Sequence, residues 1–436
     1  MEILFLTHRI PYPPNKGDKI RSYALLKHLA ENHRVHLACF VDEASDLIHQ
    51  ETVRSLARGE CLFVPLSRFS KLTRAGAALI KGQTITASCF GATIVDRWLK
   101  ALCNKYSIDH AVVFSSAVAP YILDSALIDP ARAILDMVDV DSDKWSQYAA
   151  ASRGLKRWIY RREAKKLLEL ELAAVSKFGA TILSSPYEAE TLADLASDQR
   201  ARIFSVSNGV DLKQFSSDPF PNPFYAAEHP IVMTGRMDYR PNADGAKWFA
   251  REVLPHIRAE LPNARFYVVG ARPPASLRAC AGTDIVVTGQ VADIRPYIQH
   301  ASVVVAPLQI ARGIQNKVLE AMAMGKTVVA TQAATRALAV TSGVELWIED
   351  DPKRFAAAVT GALNGADRLC VAQNGHRYVE AHHNWTRNLL AIDEILAQLG
   401  QPRLPPSARL GGADEKLQDD RNTSLAAPPP SLAGAC

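Results

Sequence analysis

The chain has 436 residues, of which 48% are hydrophobic and 22% charged. That balance excludes a mostly disordered, collagen-like or coiled-coil chain and leaves room for two or three domains. A formal net charge of +5 is too mild to make nucleic acid the main partner. The seven Cys are scattered and never in C-x-x-C spacing. They fit neither a disulfide framework nor a zinc site, so a reducing cytoplasm is expected. No apolar run approaches the roughly 20 residues of a membrane span. The first residues, Met1 to His8, read as a buried strand rather than a signal peptide.

Short β-branched runs alternate with helical patterns along the chain. Residues 3–7 are expected as a strand. Residues 19–32 follow as a helix, with Ile20, Tyr23, Ala24, Leu26 and Leu29 at helical spacing. Further strands are expected at 35–40, 61–64, 110–115, 133–138 and 181–184. Strands separated by helices imply a parallel sheet with right-handed crossovers. The pattern breaks at 208–229, where Pro219, Pro221 and Pro223 preclude a helix or an inner strand. It restarts with strands at 231–234, 265–269, 284–288, 302–306, 327–330 and 344–348, and helices at 243–260, 292–300 and 315–324. The last helices are expected at 351–363, 366–382 and 384–399.

The expected architecture is α/β, with two facing Rossmann-like, doubly wound parallel sheets and an interdomain cleft. The first domain covers 1–207 and the second 208–383, with a helix near 384–400 packing back on the first. From 401 to 436, Pro, Gly, Ser and Ala dominate and a disordered tail is expected. Ligands of such sheets sit beyond the carboxyl ends of the strands, so the cleft is the expected site.

Three loops suit phosphate. The first, around Lys16-Gly17-Asp18-Lys19, follows the first strand and opens a helix. Free N–H groups and the helix dipole favour an anion there, and Lys16, Lys19 and Arg21 add charge. The alternative is a plain βα loop with solvated lysines. The second is Gly235-Arg236, straight after a strand, where a guanidinium can meet phosphate oxygens or pair with a surface carboxylate. The third runs from Pro307 to Gln315 and opens a helix carrying Lys317 and Glu320. These two share a face, suiting a phosphate and a ribose, or else an i,i+3 surface pair. Neither G-x-G-x-x-G nor G-x-x-x-x-G-K-[ST] occurs, which disfavours an NAD dehydrogenase or a P-loop NTPase.

The chain resembles the retaining glycosyltransferases of family 4, which have the GT-B architecture. The matching segments are Gly17, Asn208-Gly209-Val210-Asp211, Gly235-Arg236, Val268-Val269-Gly270, Thr288-Gly289-Gln290-Val291 and Leu319-Glu320-Ala321-Met322-Ala323-Met324-Gly325. Within that family it looks like the sugar transferases of PEP-CTERM/exosortase exopolysaccharide loci. Met237-Asp238-Tyr239, Gly313-Ile314-Gln315-Asn316-Lys317 and Asp139-Val140-Asp141-Ser142-Asp143-Lys144-Trp145 carry that likeness. The resemblance implies retaining transfer of a sugar from a UDP- or GDP-linked donor to a glycan or polyprenyl-linked acceptor, with no cofactor and no obligatory metal. It implies that Arg236 and Lys317 bind the diphosphate and Glu320 the ribose. Gly235, Gly313, Ile314 and Asn316 would also face the donor, and Gly17 would approach from the opposite domain.

The chain departs from the family pattern at several places. Arg312 stands where the family has the first glutamate of a spaced pair. No basic residue stands in register after Gly235-Arg236, with Arg240 the nearest. The family's histidine after the fourth strand would fall near Ser115-Ser116, where none occurs. The D-x-D run at Asp139-Val140-Asp141 is expected far from the nucleotide loops. Asp139 is either an acceptor-side base, counted with Arg236 and Lys317 as catalytic, or one of several strand-end carboxylates capping the next helix; a divalent metal, as such a motif holds in the other large glycosyltransferase class, is the lesser alternative.

The basic stretch from Arg153 to Lys166, interleaved with Trp158 and Tyr160, either touches anionic lipid at the inner face of a membrane or is a solvated helix face. His382-His383 is expected at the surface. Two other readings stand beside transfer: a nucleotide-sugar epimerase, and a non-catalytic GT-B-like binding protein.

Overall fold

The structure, a computed structural model, describes residues 1–216, 219–365 and 367–399. The expected tail and two linker residues, Ser217 and Asp218, lie outside the described residues. β1 (Glu2–Thr7), β2 (Arg34–Val41), β3 (Arg58–Pro65), β4 (His110–Phe114), β5 (Ala133–Val138), β6 (Ala180–Leu183) and β7 (Ile203–Ser205) form one parallel sheet in the order β3-β2-β1-β4-β5-β6-β7. β8 (His229–Thr234), β9 (Ala264–Val269), β10 (Ile285–Gly289), β11 (Val303–Ala306), β12 (Val328–Ala330) and β13 (Trp347–Ile348) form the second, in the order β10-β9-β8-β11-β12-β13. In each sheet the winding reverses beside its first strand. β1 pairs with β2 and β4, and β8 pairs with β9 and β11. Such a reversal opens a crevice beyond the strand ends.

β1 shows why the sequence folds this way. Ile3 and Phe5 enter one core cluster, while Leu4 and Leu6 enter the other. Successive side chains point to opposite faces, so an unbroken apolar run needs a layer on each side. Elsewhere the elements differ from expectation in ways that have local causes. The expected helix at 243–260 is Arg240–Trp248, a wide π turn at Phe249–Val253, and Leu254–Glu260. Pro255 has no N–H and would clash inside a continuous helix, and the wide turn relieves that. β13 is shorter than expected because Gly343 turns with φ 82° just before it. β7 was not expected; three residues are too few to show a period.

The chain crosses between the sheets twice, side by side. Val210 N–H donates to His383 O at 2.8 Å, and the His383 ring nitrogen Nδ1 meets Asn208 O at 2.8 Å. His383 is buried by this, against the surface position expected for it. A Cβ at Gly209 would come within 2.5 Å of Trp385 N, so only glycine lets the crossings touch. Beyond the second crossing, the helix Trp385–Leu399 packs Leu389, Ile392, Ile395 and Leu396 into the core of the first sheet.

Lys19 and Arg21 do not face an anion as expected. Lys19 is buried against Asp46 at 2.6 Å. Arg21 is fully buried: Nε meets Asp136 at 2.7 Å, and Nη1 donates to Val206 O at 2.7 Å and Asn208 Oδ1 at 2.9 Å. One guanidinium thus ties the first helix, the end of β5 and the first crossing together. Arg21→Ala leaves the Asp136 carboxylate buried without its partner, at a cost of about 3–5 kcal/mol in urea unfolding. Arg21→Met combined with Asp136→Leu is expected to recover most of that loss.

Candidate active site

Loops from both sheets meet at the strand ends. After β8, Gly235 takes φ 142° and Gly270, after β9, takes φ 154°. A Cβ at Gly270 would lie 1.8 Å from Gly235 O, so the two loops run in contact only because Gly270 lacks a side chain. Arg236 leaves this junction half-buried. Its guanidinium grips Asp238 through Nε at 3.1 Å and Nη2 at 2.8 Å, and reaches Glu43 of the first half at 3.3 Å. The hydrogen bond to Asp238 comes first among the causes that raise the Arg236 pKa.

Lys317 and Glu320 lie on the helix Asn316–Ala323. They do not form the surface pair that was the alternative. The Lys317 ammonium donates to Asn242 Oδ1 at 2.5 Å, and Asn242 Nδ2 donates to Arg236 O at 2.8 Å. Asn242 therefore joins the Arg236 loop to the Lys317 helix. Arg240 points away, to Asp244 at 3.1 Å on the surface. Burial pulls the Lys317 amine down to about 8 and pushes the Glu320 carboxyl up to about 7.

From the first half, Gly17 faces Asn316 across the gap: a Cβ there would be 3.9 Å from Asn316 Nδ2. Asn208 Nδ2 donates to Asn316 Oδ1 at 3.4 Å. Ile314 is buried beside them in the second core.

The sequence places Asp139 far from the loops expected to hold a nucleotide; in the structure it lies against one of them, at Gly313. Gly313 has φ 57°, and a Cβ on it would lie 2.2 Å from Asp139 Oδ1. Facing sheets explain this: the ends of β5 and β11 are distant in sequence and adjacent across the gap. Ser184 Oγ donates to Asp139 Oδ1 at 3.0 Å, and burial raises the Asp139 pKa. The helix Asp141–Ala150 is not capped by strand-end carboxylates either. Its Ser142 N–H donates to Glu171 Oε1 at 3.1 Å, from the long helix Gly154–Lys177. Among the described residues, no group of three or more His, Cys, Asp or Glu is placed to hold a metal ion.

Three features escaped sequence reasoning. Glu188, after β6, accepts the Val140 N–H at 2.9 Å, and its carboxyl is pushed up to about 7 by burial and by Asp139 beside it. Arg312 crosses to this half, pairing with Glu188 at 3.3 Å and with Asp143. Arg312 is thus next to a carboxylate supplied by the other sheet. His8, at the end of β1, stacks on Phe114 at the end of β4 with centroids 5.8 Å apart. A histidine therefore reaches the region where Ser115-Ser116 offered none. All three lie past the carboxyl ends of strands, a position that sequence alone does not rank.

Comparison with known proteins adds to this geometry. Residues 228–365 match the family model described as Glycosyl transferases group 1. No curated protein sequence matches the chain. Among solved structures, the sucrose-phosphate synthase of Thermosynechococcus elongatus superposes with TM-score 0.67 at 18% identity, over 92% of this chain and 99% of that one. Anabaena Alr3699/HepE in complex with UDP and glucose gives TM-score 0.63 at 13% identity, over 91% and 100%. WaaG, a glycosyltransferase involved in lipopolysaccharide biosynthesis, gives 0.64 at 14% identity, over 90% and 99%.

The chain has the GT-B fold. In GT-B terms, the Arg236 and Lys317 loops lie in the second half, and Gly17 and Asp139 in the first. At Gly313 the backbone of the second half closes directly on Asp139 of the first. Gly313→Ala is expected to lose about 1–3 kcal/mol of stability, measured by thermal unfolding. Adding Asp139→Ala removes the collision and recovers part of the loss, the remainder being the left-handed backbone.

Proposed function

We propose that the protein is a retaining, metal-independent glycosyltransferase that moves a sugar from a UDP- or GDP-linked donor to a glycan or polyprenyl-linked acceptor. The observation that carries this reading is the convergence of Arg236, Lys317 and the start of the helix Asn316–Ala323 in the gap between the sheets. Departure of a nucleoside diphosphate builds negative charge on its oxygens. Fixed cations and free N–H groups aimed there lower the barrier. Glu320, on the same helix as Lys317, would take the ribose hydroxyls.

In the retaining step the bond from the anomeric carbon to the phosphate oxygen breaks. A bond to the acceptor oxygen forms on the same face, and the acceptor proton passes to the leaving phosphate. Asp139, half-buried at the lip of the first half, would orient the acceptor hydroxyl. The Anabaena neighbour, described with UDP and glucose, supports a nucleotide-sugar donor. A role in exopolysaccharide biosynthesis rests on the resemblance of 139–145, 237–239 and 313–317 to transferases of such loci.

Contact with the inner face of a membrane is part of the same reading. The first turns of Gly154–Lys177 expose Leu155 and Trp158 among Lys156, Arg157 and Arg161. Arg162 bonds the carbonyls of Ala78 and Gln83, which brings in the exposed Phe69, Leu72 and Ile80 of the helix Arg68–Ile80. Basic and apolar side chains together suit an anionic lipid surface. Tyr160 is held inward against Trp145 instead. Among the described residues, no helix is long and apolar enough to cross a membrane.

Incubation with a panel of nucleotide sugars, reading free UDP or GDP, tests the reaction. Arg236→Ala and Lys317→Ala are each expected to cut turnover by about 100-fold or more, and unchanged turnover in both sinks the site. Because the Lys317 amine is neutral above about 8, diphosphate affinity should fall as pH rises through that value. Lys317→Arg should carry it further into the alkaline range. Co-sedimentation should show binding to phosphatidylglycerol vesicles but not phosphatidylcholine vesicles, weakened by salt and by Leu155→Ala with Trp158→Ala. Equal binding to both lipids removes the electrostatic reading.

A further inference from the structure

Three cations from three loops close on one carboxylate in the gap. Glu43 follows β2 in the first half. Its carboxylate takes the Lys16 ammonium from the first loop. From the second half, Arg236 Nη1 approaches Oε1 at 3.3 Å, and Arg272 meets it with Nη2 to Oε2 at 2.9 Å and Nη1 to Oε1 at 3.4 Å.

The two arginines are neighbours by construction. Gly235 N–H donates to Val269 O at 3.0 Å and Met237 N–H to Ala271 O at 2.9 Å, so the loops after β8 and β9 run side by side. Arg272 sits at φ 57°, a conformation that disfavours a residue with a Cβ. Strain of that kind concentrates at binding sites. Among the described residues, Asp238 is 3.6 Å from Arg272 and already gripped by Arg236, and Asp42, near Lys16, is held by Arg9. With Glu43 removed, Lys16, Arg236 and Arg272 would lose the carboxylate they share, and Asp238 would be left to answer both arginines.

The geometry is that of a phosphate site. A carboxylate presents two oxygens in a plane to a guanidinium fork, as two oxygens of a phosphate do. The carboxylate comes from one half and both guanidinium groups from the other, so a ligand entering the gap can replace it without unmaking either sheet. The cluster also answers an absence in the sequence. No base follows Gly235-Arg236 in register, and the next strand supplies Arg272 instead.

We propose that Glu43 is a resident substitute for the donor diphosphate, and that Arg272 and Lys16 join Arg236 as diphosphate ligands once it is displaced. This rests on the donor reading above. The ligand must outcompete an internal anion, so the free protein binds it more weakly than the same three cations would unaided.

Calorimetric titration of the full chain with pyrophosphate, UDP and GDP tests it, with thermal unfolding of every variant as the control for folding. Glu43→Gln keeps the shape and removes the charge, and should tighten pyrophosphate and nucleoside diphosphate binding by about tenfold. It should also lower the unliganded melting temperature and enlarge the rise on adding pyrophosphate. Arg272→Ala should weaken all three ligands by about tenfold or more. Unchanged or weaker binding in Glu43→Gln overturns the substitute role. Unchanged binding in Arg272→Ala, with weakened binding in Arg236→Ala, overturns the Arg272 assignment and leaves the donor reading standing. Absence of binding by all three ligands to the wild type and to Glu43→Gln overturns both.

Discussion

The buried Arg21 guanidinium is the constraint on which the relation of the two halves depends. It reaches from the first helix to Asp136 at the end of β5, and to Val206 and Asn208 on the first crossing. Asn208 in turn bonds Asn316 at the start of the Lys317 helix. Few bonds separate the core of one sheet from the candidate phosphate loop of the other. A charge taken wholly out of water needs partners: Nε and Nη1 find them on β5 and the first crossing, while Nη2 lies buried with none.

The gap between the sheets is built by exchange of opposite charges. The second half sends Arg236, Arg272 and Arg312 towards the first, and the first answers with Glu43, Glu188 and Asp143. Each half alone would carry an unbalanced edge. Closed on one another they neutralise, and the close approach of Asp139 to Gly313 shows how little room is left.

Much of the fold was legible because its cause is local. The apolar runs of β1, β4 and β8 and the turn glycines announce a parallel sheet wherever they occur. The elements carrying Arg236 and Lys317 were legible for the same reason. What was not legible depends on pieces far apart in the chain. Lys19 and Arg21 looked like loop cations because the carboxylates that bury them come from other elements, Asp46 from the short helical turn after β2 and Asp136 from β5. Asp139 looked remote because its neighbour Gly313 belongs to the opposite sheet. Glu43 and Arg272 carry no motif at all; each is an ordinary charged residue until the halves meet.

The double crossing has one more consequence. Because Trp385–Leu399 returns to the first sheet, the whole second sheet is an insert within the first, entered near Val210 and left near Asn384. Entrance and exit are bonded neighbours. A module joined at two adjacent points can be exchanged for that of a relative without re-routing its host, so that evolution, or an engineer, can set a different second half on an unchanged first one.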